Sequence, residues 1–144
     1  MTPTLPELMI GLTINLSAPQ PAEAQGDYMA GRLGLLAMIS VLAAQEAERG
    51  VAVRVEENTA IRALFANAAK EAGGHLTSKL STAASMTDSD FTLAALDGTN
   101  ADLRRLLIDL HTDVEASGDT ARDREILELY AEMARCRRLD LPGV

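Results

Sequence analysis

The feature that most constrains this chain is a leucine periodicity. Leu103, Leu106, Leu107, Leu110 and Val114 recur every three to four positions, so a 3.6-residue helix carries them on a single face. A rod with such a stripe must hide it against other rods. The same spacing returns in Ile61, Leu64, Phe65, Ala68 and Ala72, and again in Ile126, Leu129, Tyr130, Met133 and Cys136. The apolar residues are mostly Ala and Leu, and aromatic residues are 3% of the chain. That usage favours helix over strand. The pattern predicts an all-α fold: an antiparallel up-and-down bundle of four main helices, with short helices and an N-terminal arm.

Residues 1–26 read as the arm, and 27–144 as one helical-bundle domain. Pro3, Pro6, Pro19 and Pro21 interrupt the arm. Between them, Met9, Leu12 and Leu16 keep helical spacing, while Ile10, Leu12, Ile14 and Leu16 alternate as in a strand. Both readings stand at this level, and either leaves an apolar face to be covered. Asp27 suits the N-cap of a helix over 28–49. Its middle, Leu33 to Ala44, is interrupted only by Ser40, which predicts a central helix packed on several sides. Gly50 predicts a break, then a helix over 51–72 closed by Gly73 and Gly74. Without the break, 28–72 is one helix. Val51, Val53 and Val55 also alternate as in a short strand.

Residues 75–86 predict a short or frayed helix. Beyond them, three Ser/Thr-x-x-acid patterns, Thr87–Asp90, Thr99–Asp102 and Thr120–Asp123, read as helix starts. They predict helices over 88–97, 100–117 and 120–139, with Gly98 and Gly118 as stops.

Charge bears on partners. The chain carries a net charge of −8, so it lacks the cations that neutralise phosphates or anionic headgroups. The expectation is no nucleic acid and no membrane. Arg135, Arg137 and Arg138 cluster at the end of the last helix, where they complement its dipole. The longest apolar run falls short of the ~20 residues that span a bilayer. No Lys or Arg precedes Arg32 and Glu7 sits in the apolar start, against a secretory signal. One cysteine, Cys136, cannot form an internal disulfide. A cytoplasmic protein is expected, with Cys136 buried as a small hydrophobe.

Reactive constellations are sparse. The carboxylate-bridged metal sites of bundles need Glu-x-x-His pairs, and neither His75 nor His111 follows a Glu by three. Asp109-Leu-His-Thr-Asp113 puts both aspartates on a solvent face, while His111 points toward Ile108 and Glu115. No nucleophile elbow or phosphate-binding loop occurs. No metal and no cofactor are expected.

The polar positions that stand out are Arg54, Glu57 and Asn58, which extend the Ile61–Leu64–Phe65 stripe backward. Glu46 similarly interrupts the row of Leu35, Ile39 and Leu42. Charges on a buried stripe must be paired. The favoured reading is that this helix end emerges into solvent. The others are an ion-pair network (Glu46 or Glu57 with Arg54) that sets register in a dimer, and a polar pocket. The chain therefore reads as a non-enzymatic bundle acting as a homodimer or through a protein partner. The alternative is a small-ligand or metal site built from Arg54, Glu57 and Asn58, with Glu46 or His111 contributing.

Overall fold

A computed structural model describes residues 3–17, 27–70 and 74–140. Five helices occur in them: α1 (Leu5–Ser17), α2 (Asp27–Ala68), α3 (Gly74–Ser85), α4 (Leu93–Ser117) and α5 (Thr120–Cys136). Among the described residues there is no strand. The all-α expectation holds.

The arm contains α1. Glu7 turns back on Thr4 at the start of α1: its carboxylate accepts from the Thr4 backbone N–H at 2.7 Å and from the Thr4 hydroxyl at 3.0 Å. These bonds satisfy orphan donors at the helix entrance and hold the Glu7 carboxyl below its ordinary range. The remainder of the arm, with Pro19 and Pro21, lies outside the described residues.

The two helices expected over 28–49 and 51–72 are one. Gly50 sits buried inside α2 without a positive φ, which among the described residues only Gly118 shows. Glycine permits the left-handed cap but does not impose it. With helix formers on both sides and no proline, its cost of about 1 kcal/mol is absorbed. The valines at 51, 53 and 55 are helical as well. The proposed stop at Gly73 lies outside the described residues, and Gly74 opens α3 rather than closing α2.

A similar correction applies to α4. The Thr87–Asp90 and Thr99–Asp102 patterns do not start helices; one helix runs through Gly98. Thr92 is the N-cap, its hydroxyl accepting from the Ala95 N–H at 3.3 Å, while Asp90 accepts from the Thr92 N–H at 2.8 Å. The Gly118 stop is as expected, at φ 72°. α5 starts at Thr120 as expected, but the cap is one residue upstream of the threonine: Asp119 accepts from the Arg122 N–H at 3.0 Å. α5 ends at Cys136 rather than 139.

The chain divides into two compact units, residues 1–50 with 138–144, and residues 51–137. The second unit holds the core: Ile61, Phe65 and Ala68 of α2, Leu80 of α3, Leu103, Leu107, Leu110 and Val114 of α4, and Ile126 and Met133 of α5. The stripes that define the helices are thus the surfaces that meet. In the first unit, Gln45 exchanges hydrogen bonds with the backbone of Asp140 at 2.7 and 2.8 Å, and Arg49 donates to the Arg138 carbonyl at 2.6 Å. Within the chain, the expectation of a central helix packed on several sides is not met there. Leu33 is 60% exposed, and Leu35 and Val41 are exposed too.

Candidate functional site: a buried polar layer in the second unit

The face of α2 that carries Ile61, Phe65 and Ala68 also carries, one and two turns earlier, Arg54, Glu57 and Asn58, and Arg62 lies next to Ile61. Helical spacing of three and four puts them on the side that meets the core. All four are buried, with Asn58 fully so. They do not emerge into solvent. Two polar positions of α4, Asp97 and Asn100, follow the buried Leu96 by one and by four residues. Asp88 comes from the segment before α4, and Arg137 caps the C-terminal end of α5.

These groups satisfy one another. Arg137 donates to both Glu57 oxygens, Nε to Oε1 and Nη2 to Oε2, each at 2.7 Å. Its Nη2 also donates to Asn100 Oδ1 at 3.0 Å. Asn100 Nδ2 donates to Asn58 Oδ1 at 3.0 Å and to Glu57 Oε2 at 3.1 Å. Asn58 Nδ2 reaches Asp88 at 3.3 Å and the Leu96 carbonyl at 3.5 Å. Arg62 holds Asp88 end-on with bonds of 2.9 and 2.8 Å, and Arg54 Nε donates to Asp97 at 2.9 Å.

Three guanidinium groups thus face three carboxylates, and two asparagine amides join the pairs. The formal charge of the layer cancels, as burial requires. The Arg62 guanidinium, helped by the Asn58 amide, holds the Asp88 carboxyl below the ordinary carboxylate range, against a burial effect that pushes it up. The same contact raises Arg62. The Arg62 Nε is buried without a hydrogen-bond partner, because end-on pairing engages only the two terminal nitrogens.

Of the positions singled out in sequence, Arg54, Glu57 and Asn58 fall in one layer. Glu46 is buried on α2 in the first unit. His111 is elsewhere in the second unit, its Nε2 2.9 Å from Asp123 Oδ1 and 3.8 Å from Glu115 Oε1. The expectation that it points toward Glu115 is met. Arg62, Asp88, Asp97, Asn100 and Arg137 were missed. Asn100 carried a signal: it sits on the backward extension of the Leu103–Leu107 stripe, as Asn58 does on its own. Arg137 was assigned to the helix dipole, but its guanidinium serves Glu57. No protein family, curated protein or solved structure matches this chain.

Cys136 is half-buried rather than wholly inside. Its Sγ lies 3.3 Å from Glu132 Oε1. Burial, then that carboxylate, push the thiol up, outweighing Arg135, so it stays protonated and weakly nucleophilic near neutrality. Arg135 pairs with Glu132 instead. Among the described residues, no helix is long and apolar enough to cross a membrane.

Proposed function

We propose that this chain is a non-enzymatic helical-bundle protein of the cytoplasm that works through self-association, with a second copy packing on the exposed face of α2 in the first unit. One observation carries the reading. Between Gly31 and Ala47 the two charged residues, Arg32 and Glu46, are buried, while the exposed residues are Gly, Ala, Ser, Leu and Val. A helix that ends its life against water has the opposite arrangement.

The exposed set includes Leu33, Ala37, Val41 and Ala44, spaced four, four and three apart and therefore in one stripe. Its small residues let a second backbone approach closely. With no charge on it, the stripe offers nothing to a charged partner and is complementary to itself, as a two-fold interface needs. Met9, Ile10 and Ile14 of α1 are exposed in the same unit and add apolar area. The buried polar layer supports a structural role for Arg54, Glu57 and Asn58, since a ligand there would have to displace an internal partner from each.

Sedimentation velocity on the full chain tests the reading. A dimer at micromolar concentration is expected, and Leu33→Glu with Val41→Glu should convert it to a monomer of unchanged helicity. A monomeric parent protein, or a dimer indifferent to both charges, overturns it.

A further inference from the structure

A second cluster in the 51–137 unit has a chemistry that neither self-association nor the polar layer uses. His111 and Glu115 stand one turn apart near the end of α4, and Asp123 stands in the first turn of α5. Gly118, in the left-handed conformation, closes the turn between the helices and brings the three together. One ligand atom from each lies within 4.8 Å of the others.

The imidazole is the vertex. Its Nε2 is 2.9 Å from Asp123 and 3.8 Å from Glu115. One ring nitrogen carries at most one hydrogen, so it serves a single carboxylate, and the second is held close without a bond to it. Its ring packs at 5.7 Å from the Tyr130 ring, tilted by 54°, and its side chain is 19% exposed, so its direction is set by packing.

We propose that His111, Glu115 and Asp123 bind one divalent transition-metal ion of the zinc type. Bonds of about 2.0–2.1 Å in a tetrahedral shell put ligand atoms roughly 3.3 Å apart. The distances of 2.9 and 3.8 Å bracket that value. Closing the set requires the exposed Glu115 side chain, 67% accessible, to move in and the His111–Asp123 contact to open slightly. Two carboxylates neutralise a divalent charge. The imidazole nitrogen selects zinc, cobalt or nickel over magnesium and calcium, which take oxygen shells. Three protein ligands leave a fourth position for water, the arrangement of an open site. A cavity of about 280 Å³ bordered by Glu115, Asp119 and Asp123 lies alongside.

The test is titration of the chelator-stripped full chain with Co(II), read by visible ligand-field absorption, and with Zn(II), read by calorimetry. One equivalent should bind, with the absorption of low-coordinate Co(II). His111→Gln, Asp123→Asn and Glu115→Gln should each weaken binding by about tenfold or more, while Asp113→Asn, on the exposed face, should not. Glu115→Gln alters an exposed side chain and keeps the test valid if the other variants fold poorly. Absence of saturable binding, or equal affinity in the parent, Glu115→Gln and Asp113→Asn proteins, overturns the proposal.

Discussion

Arg137, the residue that caps the end of α5, reaches back across 80 positions of sequence to hold Glu57 of α2 by two hydrogen bonds of 2.7 Å. Glu57 is 3% exposed at its side chain and Arg137 19%, so the pair is largely withdrawn from water. In that setting the loss of one partner is worse than the loss of both, because it leaves a charge stranded.

Arg137→Ala should therefore destabilise the protein by about 3–5 kcal/mol. The double replacement of Glu57 and Arg137 by Leu should cost less than Arg137→Ala alone. Urea denaturation of the three proteins checks this. A double variant less stable than Arg137→Ala would refute the view that the stranded charge dominates.

Asp88 links the layer to acid stability. Its folded-state carboxyl titrates below the unfolded value because Arg62 binds it. Its contribution is therefore fully present above the unfolded value, about 3.9. It is lost as pH falls through the folded one. Asp88→Asn should lower stability near neutrality by about 3 kcal/mol and shrink the fall in stability below about pH 4. Melting temperatures across that range, with and without the substitution, give the comparison; parallel curves would count against the linkage.

Two glycines should respond with opposite signs. Gly118 is at φ 72°, and a Cβ there meets nothing within 4 Å, so Gly118→Ala pays only the left-handed backbone penalty of roughly 1–2 kcal/mol. Gly98 is exposed inside α4 with equally open space. Gly98→Ala should raise stability by about 0.5–1 kcal/mol. Thermal melts of both variants decide it, and a stabilising Gly118→Ala would disprove the cap assignment.

The helices were legible because their cause is local. Leu103, Leu107, Leu110 and Val114, and Ile126 with Met133, are buried where their spacing places them. Glycine positions misled at Gly50 and Gly98, since that residue tolerates a helix as well as a stop. The Thr4–Glu7 contact that starts α1 was present in the sequence as a Ser/Thr-x-x-acid pattern of the same kind as the three that were used. Three of the eight residues of the polar layer were also visible: Arg54, Glu57 and Asn58 stood out as polar groups on an apolar stripe.

What the chain determined by itself is its helical periodicity, its caps at Gly118 and near Thr120, and the presence of polar groups on buried faces. Tertiary structure alone decided who answers those groups: Arg137 for Glu57, Asp97 for Arg54, Asp88 for Arg62, and Asp123 for His111. The reason is physical. Periodicity follows from 3.6 residues per turn and is written in neighbours three and four apart. A salt bridge between helices depends on how two rods are rotated and shifted against each other, which the packing of whole side chains sets.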